Sequence, residues 1–442
     1  MVEATFHFPQ GFMWGTATAS HQVEGYNRYN NWWEWEQESD HIFKNDKSEA
    51  ACDWWGGRWR DDLHRAKESG QNSHRFSIEW SRIQPLPDKW DESNLERYRE
   101  IVRYLIELGL TPLVTLHHFS DPIWFSEMGG WEKEENIPYF IPYVRKVVEA
   151  LHEYTNLWVT INEPNVLSVS AYLFGVFPPG KKDLGSTFNV MTNLAKAHAQ
   201  AYHTIHEIQR EARVGLAINY RGFIPARTWS PLDRWVVNFQ SSMFNDFYPK
   251  ACQDGILRLP ISKKKEANLA GTQDFLGINY YTQDIIAFQP LAAKELFSKR
   301  YFPDGSEISE NGFIANLPEG MFKAIEWGRQ FNIPLIITEN GVEDSTDKLR
   351  PRYIIEHLHQ VWRAVNFNYP VKGYFHWTLV DNFEWDRGWS QRFGLWELDI
   401  NTQERIKRQS ADLYAEICHE NGISSEMVSC YAPQIFDRMF PT

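Results

Sequence analysis

The chain has 442 residues, 43% of them hydrophobic, and a formal net charge of -13 from 45 Lys plus Arg against 58 Asp plus Glu. The acidic balance argues against nucleic acid as the main partner. No stretch approaches the roughly 18 apolar residues that a membrane span needs, and the four cysteines form no C-x-x-C pair of the kind that marks a thiolate zinc or redox site.

Strand and helix signals alternate along the chain. Residues 12–20 read as a first strand, 59–68 as an amphipathic helix stopped at Gly70, and 72–80 as a second strand. Residues 92–108 carry apolar side chains at helical spacing and stop at Gly109, and residues 111–119 form a third strand. A helix over 137–153 leads to a fourth strand, 157–162, ended by Glu163-Pro164. The second half continues with helix 187–211, strand 213–220, helix 232–251 and strand 274–281. Residues 282–316 are polar and read as an irregular insertion loop. Helix 317–331, strand 333–339, helix 351–366, strand 371–379 and helix 404–419 complete the chain. The seventh strand is a β-branched apolar run ending at Glu339, with the turn signal Asn340-Gly341 behind it.

Eight strands alternating with eight helices predict a parallel sheet closed into a (β/α)₈ TIM barrel, α/β in class, with the whole chain as one catalytic domain. At about 55 residues per unit, the βα loops must be long. The competing reading is two doubly wound domains, which expects a glycine-rich phosphate turn after the first strand. Trp14-Gly15-Thr16-Ala17 does not provide one. The first residues, Met1 to Thr5, lack a basic n-region and an apolar h-region, so the expected compartment is the cytoplasm, with free thiols. The aromatic share is 15%, with 20 Trp, which serves either core packing or flat platforms for sugar rings.

A barrel puts its active residues at the C-terminal ends of strands. Glu163 ends strand four and Glu339 ends strand seven. Gln22, Arg75, His118, Asn219, Tyr281 and Trp377 are further polar or aromatic residues read at strand ends. Any one of them could be a satisfied core polar, and either Glu a helix cap. Two carboxylates across one barrel mouth suit glycoside hydrolysis, in which one protonates the leaving oxygen and the other attacks the anomeric carbon or activates water. Arg75 beside Glu339 would keep that carboxylate ionised, as a nucleophile must be. Apolar surroundings and the Glu339 charge would hold Glu163 protonated until the glycosyl-enzyme forms.

The motifs at these positions resemble the family 1 glycoside hydrolases, the β-glucosidase and β-galactosidase group. They are Phe8-Pro9-x-Gly11-Phe12-x-Trp14-Gly15-Thr16-Ala17-Thr18-Ala19-Ser20-x-Gln22-x-Glu24-Gly25, Arg75-Phe76-Ser77-Ile78-Glu79-Trp80-Ser81-Arg82, Thr160-Ile161-Asn162-Glu163-Pro164, Ile337-Thr338-Glu339-Asn340-Gly341 and Asp381-Asn382-Phe383-Glu384-Trp385. The resemblance covers nearly the whole chain. It implies a retaining mechanism with Glu163 as acid/base and Glu339 as nucleophile. Asn162 would bond the sugar 2-hydroxyl, and Tyr281 would orient Glu339 with Asn279 and Asn219 nearby. Gln22, His118, Glu384 and Trp385 would grip the outer hydroxyls, and Trp377 would form a stacking floor. Phe119 and Phe393 would complete the sugar site. No metal or cofactor is expected.

Two departures bear on specificity. Phe119 stands where the resembled family more often has Trp, so an indole N–H donor is lost near the sugar 3-hydroxyl. Relatives that act on 6-phosphoglycosides carry a Ser and a Lys/Tyr clamp near residues 386–394, whereas Glu384 would repel a phosphate. The expected substrates are therefore non-phosphorylated β-glycosides or short β-linked oligosaccharides, β-glucosides first, galactosides or fucosides second. Transglycosylation, a non-catalytic sugar-binding role and a homo-oligomer stay open at this point.

Overall fold

The computed structural model describes residues 4–260, 262–292 and 295–441. The reading of the first three residues lies outside them. Eight strands form the centre: β1 (Met13–Ala17), β2 (Ser73–Ser77), β3 (Thr111–His117), β4 (Leu157–Asn162), β5 (Arg213–Pro225), β6 (Phe275–Phe288), β7 (Leu335–Asn340) and β8 (Val371–His376). Each pairs in parallel with the next, and β8 pairs with β1, so the sheet closes with no free edge. Strands buried on both faces read as nearly continuous apolar runs, as Pro112 to Leu116 does.

Helices cover the outside: α1 (Trp59–Glu68), α2 (Glu92–Glu107), α3 (Ile137–Leu151), α4 (Pro164–Tyr172), α5 (Leu184–Ile208), α6 (Pro231–Ser241), α7 (Glu319–Arg329), α8 (Arg350–Asn366) and α9 (Gln409–Glu420). Several begin at side-chain caps that satisfy backbone N–H groups left free by the first turn. Asp91 accepts from the Ser93 and Asn94 amides, Asp183 from Ser186, and Ser230 from Asp233. The Asp183 cap sets the start of α5 three residues before the position expected from apolar spacing.

The expectation of an irregular loop over residues 282–316 is corrected. β6 continues to Phe288 and stays paired with β5 well beyond the barrel, with Gly222 opposite Gln283 and Pro225 opposite Ile286. The short strand Ser298–Tyr301 then folds back antiparallel onto it. The apolar stretch Ile285, Ile286, Ala287, Phe288 pays for this extension by packing Ile286 against Val236 and Val237 of α6. Asn219 and Tyr281 therefore lie within long strands, at the level where the barrel ends, and not at their termini.

No helix among the described residues is long and apolar enough to cross a membrane. Cys52, Cys252 and Cys418 are buried and Cys430 is exposed, all as free thiols.

Candidate active site

The two carboxylates are aimed by irregularities in their own strands. Between Val159 and Asn162, three steps along β4 face only two along β5, from Gly215 to Ala217. Between Ile337 and Glu339, two steps along β7 face one along β6, from Ile278 to Asn279. An extra residue in a strand re-aims the side chain that follows it. Glu163 then takes a left-handed backbone conformation, with φ 43° and ψ 55°, just ahead of Pro164 at the start of α4. A non-glycine residue held there costs of order 1–3 kcal/mol and needs its surroundings to enforce it. Its amide donates to Ala217 O at 2.7 Å, which ties the turn to β5.

Glu339 is buried and bonded at both oxygens. Arg75 Nη1 donates to Oε1 at 2.7 Å, and Tyr281 OH donates to Oε2 at 2.7 Å. Glu163 is also buried, but its partners are neutral. Asn279 Nδ2 and Asn219 Nδ2 donate to its Oε1 at 2.8 and 2.9 Å. Asn279 also donates to Asn162 Oδ1 at 3.2 Å, and Arg75 Nη2 donates to that same oxygen at 2.6 Å. One network thus joins the two acids. Arg75 is itself central in β2, the third of its five residues, and not at the strand end that the sequence suggested. Its long side chain spans the barrel to reach β7.

The different surroundings set different protonation. Burial raises the Glu163 carboxyl, the Glu339 charge raises it further, and it reaches about 8. Burial also raises Glu339, so Arg75 is not the largest influence on it as expected. Arg75 and Tyr281 act against that rise. Glu339 is thus the acid of the pair with a cation and an O–H donor to hold its charge, and it ionises first.

A second cluster lies beside the pair. Asn162 Oδ1 is occupied by two donors, which fixes its amide so that Nδ2 donates to His118 Nε2 at 2.9 Å. The His118 proton is thereby assigned to Nδ1, a buried atom without a partner among the described residues. Burial, with Arg75 and His117 nearby, pushes His118 well below its usual value, so the ring is neutral. Gln22 Nε2 donates to Phe383 O at 2.8 Å and Asn382 Oδ1 at 3.1 Å, leaving Gln22 Oε1 buried and unpaired. Gln22 sits on the short helix Ser20–Val23 beyond β1, and not at the strand end where the sequence placed it. Trp377 follows β8 and donates from Nε1 to Glu384 Oε1 at 2.9 Å. Burial pushes Glu384 up to about 8. Trp385 stacks with both His21 and His118, with ring centroids 5.8 Å apart in each case. Phe119 meets Trp385 edge-on at 5.1 Å, and Phe393 meets Tyr281 edge-on at 6.2 Å.

Contacts therefore link every residue singled out in the sequence into one cluster at one end of the barrel. Others were missed. Thr338 Oγ1 donates to Asn279 Oδ1 at 2.6 Å, and Thr115 Oγ1 accepts from Arg75 Nε at 3.2 Å. Thr338 was within a quoted motif, and its place beside Glu339 was the available signal. Nothing local marked Thr115. No group of three or more His, Cys, Asp or Glu among the described residues is arranged to hold a metal ion. The cluster offers a cation-held carboxylate, a protonated carboxyl, and unpaired donors and acceptors beside aromatic faces. Those are the needs of a polyhydroxylated ring undergoing acid-assisted displacement.

The profile of Glycosyl hydrolase family 1 matches residues 4–423. Beta-glucosidase A of Thermotoga maritima is 33% identical over 450 residues, spanning 94% of this chain and 98% of that protein. The cytosolic beta-glucosidase of Homo sapiens is 31% identical, spanning 95% of this chain and 100% of its own length. Among solved structures, a beta-glycosidase from Pyrococcus horikoshii superposes with a TM-score of 0.90 at 36% identity, covering 97% of this chain and 98% of that one. The Thermotoga maritima beta-glucosidase in complex with glucoimidazole gives 0.88 at 30% identity, covering 95% and 100%.

Proposed function

The chain belongs to glycosyl hydrolase family 1, and from that premise we propose that it is a retaining exo-β-glycosidase, chiefly a β-glucosidase, working as one catalytic domain. It is a β-glycosidase by family, and the relatives reported above are named beta-glucosidases or beta-glycosidase. Glu339 attacks the anomeric carbon as a carboxylate. As the glycosidic C–O bond breaks, Glu163 gives its proton to the leaving oxygen. The sugar is then held as an ester on Glu339, whose charge is gone. The repulsion that raised Glu163 disappears with it, and Glu163 becomes a base. It takes a proton from water, which attacks the anomeric carbon and releases Glu339 as a carboxylate.

The observation that carries this reading is the unequal support of the two acids. Glu339 has Arg75 and Tyr281, and Glu163 has only the amides of Asn219 and Asn279. Asn162 keeps one Nδ2 hydrogen for the sugar 2-hydroxyl after serving His118. The His118 Nδ1–H, Gln22 Oε1 and Glu384 serve the remaining hydroxyls, over the ring of Trp377. Glu384 accepts from either orientation of a 4-hydroxyl, which suits glucosides and galactosides.

The deciding experiment follows an aryl β-D-glucoside by proton NMR. β-Glucose should appear first and mutarotate later. Release of α-glucose first would mean inversion, and no release would remove the glycosidase reading.

A further inference from the structure

The backbone that carries Tyr281 lies outside the regular strand ladders. On one side, the last residue pair between β6 and β7 is Asn279 with Glu339. On the other, three steps along β6 from Tyr280 to Gln283 face only two along β5 from Tyr220 to Gly222. Among the described residues, Tyr281 belongs to no pair of either ladder. An extra residue in a strand is left unpaired, so something other than the ladder must fix its aim. The aim matters here, because the Tyr281 phenol meets Glu339 Oε2.

A buried phenol on α8 meets that backbone from outside the barrel. Tyr353 OH donates to Tyr281 O at 2.8 Å and accepts from Asn340 Nδ2 at 3.0 Å. Asn340 follows Glu339 in β7, and its carboxamide is fully used. Nδ2 also donates to Tyr280 O at 2.6 Å, and Oδ1 accepts from Tyr374 OH at 2.9 Å. With both amide hydrogens committed, the single hydrogen of the Tyr353 phenol is left for Tyr281. The Tyr353 ring is fixed in turn by His357, one helical turn on, which stacks on it with centroids 3.6 Å apart. Tyr353, Asn340 and Tyr374 are all buried, so solvent does not replace a bond lost among them. One phenol thus ties the residue beside Glu339 to the residue that donates to Glu339.

We propose that Tyr353 is a positioning residue for the nucleophile: its donation to Tyr281 O holds the Tyr281 phenol on Glu339 Oε2. The inference rests on the assignment of Glu339 as the nucleophile. Tyr353 bonds neither acid and acts through Tyr281. Its loss therefore weakens the hold on Glu339 without abolishing it. In Tyr353→Phe, kcat/KM should fall about 3- to 10-fold. The acidic limb of the pH–rate profile should move to higher pH, the direction expected when a carboxylate loses a donor.

The test is a double-mutant cycle on an aryl β-D-glucoside with Tyr353→Phe, Tyr281→Phe and the two combined, each checked for folding by circular dichroism. In the Tyr281→Phe background the phenol to be positioned is gone. Adding Tyr353→Phe there should change kcat/KM by less than about twofold and leave the limb where it is. Equal losses in both backgrounds overturn the proposal, because Tyr353 would then act by another route. An acidic limb that Tyr353→Phe leaves unmoved overturns it too, whatever happens to the thermal midpoint. Tyr374→Phe is the second variant. It removes a buried phenol from the same Asn340 but keeps the bond between Tyr353 and Tyr281. It should lower the thermal midpoint and leave the limb in place. A limb moved by Tyr374→Phe overturns the proposal by itself, even if Tyr353→Phe does not fold. Retained turnover in Glu339→Ala removes the nucleophile assignment instead, and absence of hydrolysis by the unaltered protein removes the glycosidase reading beneath both.

Discussion

The phenol of Tyr281 donates to Glu339 Oε2, the carboxylate oxygen that Arg75 leaves free. Both oxygens of Glu339 are thereby held, one by a fixed cation and one by a neutral donor. Such preorganisation spares the reaction the cost of orienting dipoles as charge moves.

Tyr281→Phe removes that donor and keeps the ring against Phe393. A hydrogen bond to a charged group is worth about 1.5–3 kcal/mol, so kcat/KM should fall about 10- to 100-fold. The bond favours ionised Glu339, so its loss should also shift the acidic limb of the pH–rate profile to higher pH. A profile that drops in height without shifting would mean Tyr281 does not tune the carboxylate.

Removing each acid should leave a different chemical signature. Glu339→Ala should lose turnover by roughly 10⁴-fold or more, the scale seen when a nucleophile is deleted. Azide should restore reaction in it with formation of the α-glycosyl azide, because azide enters from the face Glu339 occupied. Glu163→Ala should still form the glycosyl-enzyme from substrates with good leaving groups and then stall. Azide there should give the β-azide. The opposite pairing of products would exchange the two roles.

In the proposed mechanism the proton on Glu163 goes to the leaving oxygen. kcat/KM should therefore decline as pH rises through about 8, where that carboxyl ionises. Glu163→Gln should lose this basic limb when assayed with an activated aryl glucoside. Persistence of the limb would assign it to another group.

Stability should run against pH over the same range. Glu163 and Glu384 are raised to about 8 and Glu343 to about 7, all by burial. Each binds its proton more tightly folded than unfolded. The stability it contributes is fully present below the ordinary value of 4.5 and is lost as pH rises through 7 to 8. The slope is about 1.4 kcal/mol per pH unit for each group that stays protonated only when folded. Thermal midpoints should be higher at pH 6 than at pH 8.5, and Glu163→Gln should narrow the difference. Equal midpoints would show that these carboxyls are not held neutral.

Glu384 should decide between a free and a phosphorylated sugar. The Trp377 indole donates to Glu384 Oε1, and neither group is a cation that would hold a phosphate. The glucoside should be cleaved in preference to its 6-phosphate, and Glu384→Ala should lower kcat/KM on the glucoside about 10- to 100-fold. Faster cleavage of the phosphorylated sugar would reverse the assignment.

Much of this architecture was legible in the sequence because barrel units are local. A strand, a loop and a helix each announce themselves within a dozen residues, and Glu163 and Glu339 were readable as acids stranded at strand ends. What escaped depends on distant partners. The pairing of Gly222–Pro225 with Gln283–Ile286 is long-range, so a polar average over residues 282–316 concealed a strand. The start of α5 was displaced because the Asp183 cap overrode apolar spacing. Arg75 looked like a rim residue, although its backbone is mid-strand, because an arginine is long enough to act far from its Cα. Thr115 gave no signal at all: its function exists only once β2 and β3 are adjacent.

Asn219, Asn279 and Glu339 are backbone partners across β5, β6 and β7. A single-residue insertion or deletion in any of these strands would throw the three out of step at once. Farther out, Phe223 and Asp284 are partners in that same ladder, whereas Val169 belongs to α4 and Phe174 to the turn after it. Side chains carried by α4 can therefore change without disturbing the strand ladder, so the surroundings of the acid pair are easier to alter than the pair itself.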